Sequence, residues 1–137
     1  MSFVLVDAGV ILAAFDSDDG LHETCKALLA SEEFTLASLD LVRYEVANVA
    51  VRAWRAHARV APLLSAVDRI AEDGGVLAST SVLLMGAAEL AEEHSISVYD
   101  AAYVAAANQV GAALVSCDVR DLVGKGLARE PAGMLGK

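Results

Sequence analysis

The chain has 137 residues with only two cysteines, 56% of them apolar and 21% charged, at a formal net charge of −9. That length suffices for one independent domain over residues 1–137 without disulfide or metal staples, and the acidic balance argues against a general nucleic-acid-binding surface, which needs Lys and Arg. Cys25 and Cys117 lie far apart in the chain and outside any CxxC spacing, so a zinc site or disulfide is not expected and the thiols read as those of a reduced cytoplasmic protein.

The opening, SFVLVD, has no secretory pattern, and the longest weakly polar stretch, residues 101–115, is too short to span a bilayer. Residues 3–6, FVLV, form a β-branched apolar run that ends on Asp7 and predict a buried first strand. A short helix over 10–15 follows, then an acidic turn over 16–20 and a second helix over 21–30. Residues 34–38 read as strand two. Ser38 or Asp40 then caps a long helix over 41–58, in which Val42, Val46, Val49 and Ala53 recur at helical spacing.

Pro62 opens a helix over 63–72, which Asp73-Gly74-Gly75 closes before a third strand over 76–78. Thr80 or Ser81 caps a helix to Glu93, and Ser97 with Asp100 starts an Ala-rich helix whose end is marked by Asn108 and Gly111. ALVS at 113–116 is a fourth strand, and a weak strand follows near 127–129. This alternation predicts an α/β fold with a mainly parallel four- to five-stranded sheet flanked by helices, with ligands gathering at the carboxyl ends of the strands.

Four acids interrupt apolar context: Asp7 after FVLV, Glu45 inside the long helix, Asp100 inside VYDAAYVAAA and Asp118 after ALVSC; Asp121 is a further acid beside the last. Carboxylates gathered in one place repel one another unless a cation neutralises them. A hard cation with oxygen ligands, Mg²⁺ or Mn²⁺, suits such a set and points to phosphodiester hydrolysis. No P-loop, GxGxxG, serine elbow or HExxH pattern occurs, and His22, His57 and His94 are not at metal-ligand spacing.

Each acid also has a plainer role open to it. Asp7 fits a turn after a strand, Asp100 a helix N-terminus with Ser97 as cap, and Asp118 the cap of a short helix. Asn48 stands one turn beyond Glu45, and Arg52 one turn further. Arg43, Arg52, Arg55 and Arg59 share their stretch with one acid, Glu45, and form a polyanion-binding face, a solvated helix face or a contact for a protein partner. Trp54 reads as a core or interface anchor, and Tyr99 and Tyr103 as core residues.

DAGVIL after the first strand, RYEVAN around Glu45, YDAAYVAAA from Tyr99 and SCDVRDL at the fourth strand together resemble the PIN-domain family, and within it the VapC-type toxins. The resemblance implies a Mg²⁺- or Mn²⁺-dependent endoribonuclease of the cytoplasm that cuts RNA, transfer RNA included, forms a homodimer and is silenced by a small VapB-like antitoxin. It also implies that Asp7, Glu45, Asp100 and Asp118 are the catalytic and metal-binding acids, with Asp121 as an extra ligand and Asn48 and Ser116 as supporting polar groups. Arg43, Arg52 and Arg55 are then the expected RNA contacts.

One departure stands out. Family members carry Ser, Thr or Asn two residues after the first Asp, where this chain has Gly9, which predicts weaker metal binding. Two other readings follow: a catalytically weakened scaffold that binds RNA or protein, and a receiver-like signalling module. The latter lacks its early acidic pair and a Lys at the last strand end.

Overall fold

The structure is a computed structural model that describes residues 2–136. Among these, four parallel strands, β1 (Ser2–Val6), β2 (Phe34–Leu39), β3 (Val76–Leu77) and β4 (Ala113–Val115), form one sheet in the order β3-β2-β1-β4. β1 is central, with Val4 paired to Leu36 on one side and to Ala113 on the other. Val4, Leu5 and Val6 have no exposed surface, as a parallel strand covered on both faces requires. The chain steps from β1 through β2 to β3 on one side and returns to the other side for β4. The order therefore switches between β1 and β4, where a parallel sheet opens a crevice at its carboxyl edge.

Seven helices accompany the sheet in the described chain: α1 (Ala8–Phe15), α2 (His22–Ala30), α3 (Leu41–Arg52), α4 (Val60–Asp73), α5 (Ser81–His94), α6 (Val98–Val110) and α7 (Pro131–Met134). Their inward faces join the strands in a core that includes Ile11, Leu28, Val46, Leu63, Val67 and Leu122. Alanines 101, 102, 106 and 107 of α6 are all buried, and their small side chains let this helix lie close to the sheet. Gly111 ends α6 at φ 68°, a left-handed conformation that glycine adopts without penalty.

The expected single helix over 41–58 is two pieces. α3 ends at Arg52, and Arg55 takes φ 54° in a turn that leads through a short 3-10 segment, His57–Arg59, into α4. The apolar spacing does not foresee this break, because tertiary contacts fix it: the Arg59 guanidinium lies 4.4 Å from the Trp54 ring centroid and donates to the Phe15 carbonyl. Pro62 accordingly sits in the first turn of α4 rather than ahead of it, a position where its missing N–H costs nothing.

Neither expected cap of α3 acts as one. Ser38 Oγ donates to the Val6 carbonyl between two strands, and the Asp40 carboxylate accepts from Ser79 N–H and Oγ, tying β2 to the segment after β3. The expected strand over 127–129 is a single parallel bridge, Arg129 to Val115.

β3 is short, and Asp73 and Gly74 take over its pairing duty: Leu36 N–H donates to Asp73 Oδ2 at 2.7 Å, and Gly74 N–H donates to Leu36 O at 2.7 Å. A Cβ on Gly74 would meet that oxygen at 2.4 Å, so only glycine fits there. No helix in the described chain is long and apolar enough to cross a membrane.

Candidate active site

All five singled-out acids meet at the carboxyl edge of the sheet, on the β1/β4 side. Asp7 follows β1 directly and caps α1, accepting from Val10 N–H at 3.2 Å, and the Ser116 hydroxyl at the end of β4 is near enough to favour its charged form. Ser116 is fully buried and its Oγ also accepts from Asp118 N–H at 3.0 Å, so this one hydroxyl links the two loops. Asp118 in turn caps the wide turn Val119–Val123, accepting from Asp121 N–H at 2.9 Å. Asp100 N–H donates to Ser97 Oγ at 3.0 Å in the first turn of α6. The structural roles open to Asp7, Asp100 and Asp118 are thus all realised, and they are what hold the carboxylates in place.

The acids form a tight outer group and a deeper pair. Carboxylate oxygens of Asp100, Asp118 and Asp121 lie within 4.8 Å of one another, close enough to share one cation. Asp7 and Glu45 stand behind them, near enough for each to feel its neighbours' charge. Burial, helped by the charges of Glu45 and Asp100, raises Asp7 from 3.8 to about 6 against the opposing bonds from Ser116 and Val10. Burial also raises Glu45, with Asp100 adding to the effect, and raises Asp100, with Asp118 and Asp121 adding to it. Three carboxylates that resist ionisation side by side are a donor set short of positive charge, which fits an oxygen-seeking divalent cation.

Tyr103 is a site residue that sequence reasoning placed in the core. It is buried, and its hydroxyl donates to Glu45; burial and the Glu45 charge raise its pKa well above the ordinary phenol range. The signal was its position three residues after Asp100, on the same helix face. Tyr99, also expected in the core, is exposed, since it points away from the sheet at the start of α6.

Asn48 is exposed and makes no bond to the acids, whereas Ser116 Oγ accepts from Asp118 N–H. Arg43 is paired with Asp68 at 3.5 Å, and Arg52 and Arg55 are solvent-exposed. The cations nearest the acids are ones the sequence reading did not single out as RNA contacts, Arg120 and Lys125, which stand 3.9 and 4.0 Å from Asp121.

The two cysteines, far apart in the chain, are neighbours in space. Cys25 Sγ of α2 and Cys117 Sγ, beyond β4, stand 3.6 Å from each other, both as free thiols.

The family model for the PIN domain matches residues 4–122. The chain belongs to the PIN-domain family. Over 122 residues it is 34% identical to ribonuclease VapC3 of Pyrobaculum aerophilum, covering 84% of this chain and 88% of that one. Its fold is similar to that in a toxin–antitoxin complex from Klebsiella pneumoniae, with a TM-score of 0.69 at 17% identity over 93% of this chain and 97% of that chain. It is also similar to VapC20 of Mycobacterium tuberculosis, described as a toxin that cleaves the sarcin-ricin loop, with a TM-score of 0.64 at 24% identity over 82% and 86% of the two chains.

PIN membership removes the receiver-like reading, and the sheet order with β1 between β2 and β4 carries a PIN-like α/β architecture as expected. The family departure at Gly9 lies at the acids themselves: a Cβ there would sit 3.4 Å from Asp7 Oδ1 and 3.9 Å from Cys117 Cβ, ordinary contacts that leave room for a larger side chain.

Proposed function

We propose that this PIN domain, residues 1–137 as one unit, is a Mg²⁺- or Mn²⁺-dependent endoribonuclease of the VapC toxin type, held in check by a small VapB-like antitoxin. The observation that carries the reading is the convergence of Asp7, Glu45, Asp100, Asp118 and Asp121 on one crevice of the sheet. The similarity to ribonuclease VapC3 supports RNA as the substrate.

Asp100, Asp118 and Asp121 would hold the ion, with Asp7 and Glu45 behind it. What such an ion supplies is polarisation of the scissile phosphate and a more acidic attacking water. The chain's own part is orientation: Val10 N–H fixes the Asp7 carboxylate, and the Tyr103 hydroxyl fixes that of Glu45. Arg52 and Arg55, exposed near the end of α3, and Arg120, whose side chain is 93% exposed beside Asp121, are exposed cations that would meet RNA phosphates. Arg43 would do so only by releasing Asp68.

Two surfaces suit the partners. The groove between α1, α2 and α4 is lined by Phe15, Leu29 and Ile70 with Lys26 and Arg69 at its edge, and fits an apolar antitoxin segment that carries acids. Tyr44, Leu84, Val98 and Tyr99 are exposed and line a second apolar groove that suits the contact between two copies.

The test is cleavage of RNA by purified protein with Mg²⁺ or Mn²⁺, with chelator, and with Asp7→Asn and Asp100→Asn. Cleavage that requires metal and both acids is expected; equal activity in all samples refutes the assignment. Gly9 favours one second reading, a weakened scaffold, for which RNA would bind without being cut even at high Mn²⁺.

A further inference from the structure

We propose that Cys25 and Cys117 are a redox-modification site: they close an intramolecular disulfide beside the acidic centre. Their sulfurs, 92 residues apart in sequence, already face each other at 3.6 Å. Bond formation needs an approach of about 1.5 Å to reach the usual S–S length of about 2.05 Å. Cys25 is fully buried within α2, whereas Cys117 keeps some exposure, so the order of events is set. A low-molecular-weight disulfide such as oxidised glutathione meets Cys117 first, forms a mixed disulfide there and releases one thiol. Cys25 then attacks the Cys117 sulfur, the Cys25–Cys117 bond forms, and a second thiol leaves. Two protein thiols are oxidised as one disulfide is reduced to two thiols, and both thiol protons leave with the products.

The position of Cys117 gives the bond a consequence. It lies between Ser116, whose hydroxyl accepts from Asp118 N–H and neighbours Asp7, and Asp118 itself. Drawing Cys117 toward α2 shifts this turn by more than the half ångström or so that a preorganised site tolerates. Oxidation therefore displaces Asp118 and Asp121 from Asp100 and weakens cation binding. That consequence rests on the metal reading above; the disulfide itself does not.

The experiment equilibrates the full chain in glutathione redox buffer and follows it by alkylation, intact mass and peptide mapping. The native chain is expected to yield a Cys25–Cys117 disulfide, Cys25→Ser to stop at a glutathione adduct on Cys117, and Cys117→Ser to remain unmodified. Two freely alkylated thiols in the native chain, or an adduct on Cys25 in Cys117→Ser, overturn the proposal. Mn²⁺ titration of the reduced and oxidised forms is expected to show at least tenfold weaker binding after oxidation, and equal affinity overturns the coupling. If the reduced protein takes up no Mn²⁺, the metal reading has failed instead. The coupling is then decided by amide hydrogen exchange over residues 116–123, which changes on oxidation if the turn moves and stays the same if it does not.

Discussion

Asp7 shows how one residue serves stability and chemistry against each other. Its carboxyl is raised from 3.8 to about 6 by burial, so the metal-free fold prefers the proton. A raised carboxyl contributes fully below its unfolded value, and that contribution is lost as pH rises through the folded value, here between about 4 and about 6, at a cost of up to about 3 kcal/mol. Asp7→Asn keeps a side-chain oxygen for Val10 N–H without the charge. The metal-free variant should therefore melt above the native chain at pH 7, with the gap closing toward pH 4 and reversed by saturating Mn²⁺; thermal melts across that range check it. Tyr103→Phe removes only the hydroxyl that holds Glu45. Lost orientation of a ligand typically costs 10–100-fold in metal affinity or activity, against about 1 kcal/mol in stability. Calorimetric Mn²⁺ titration beside a denaturation curve separates the two effects.

At the scale of elements, the acids were legible because each breaks an apolar run: the pattern put Asp7 and Asp118 at strand ends and Glu45 and Asp100 on helices, and the strands bring them together. What stayed hidden was set by contacts between distant segments. The break after α3 depends on Arg59 reaching Trp54 and Phe15, the loss of Asp40 as a cap on Ser79, and the meeting of Cys25 with Cys117 on the packing of α2 beside β4. None of these leaves a local signature. Two glycines test the element-level account in opposite directions. Gly74→Ala sets a Cβ against the Leu36 carbonyl and should destabilise by about 1–3 kcal/mol or more in urea denaturation. Gly9 lies inside α1 with room for a side chain, so Gly9→Ala should stabilise by about 0.5–1 kcal/mol. Gly9→Ser places a hydroxyl beside Asp7 and should bind Mn²⁺ more tightly than Gly9→Ala, a comparison that isolates the hydroxyl from the helix effect.

For the whole molecule, the net charge of −9 and the proposed anionic substrate pull in opposite directions. Neutralising the acidic crevice with a divalent cation reconciles them, since it removes the like charge where the phosphate must approach. The apolar fraction has a similar outlet in the exposed groove lined by Tyr44, Leu84 and Tyr99. A charge placed there, Tyr99→Glu, should shift a dimer to monomer in sedimentation while the fold survives, because Tyr99 is 65% exposed. The central claim is that the five acids form a cation site, and the most direct measurement is the anomalous scattering of a crystal grown with Mn²⁺. A peak within coordination distance of Asp100, Asp118 and Asp121, absent from Asp100→Asn crystals, is the predicted result. An acidic crevice with no peak at saturating Mn²⁺, or a peak that survives the loss of Asp100, would contradict it.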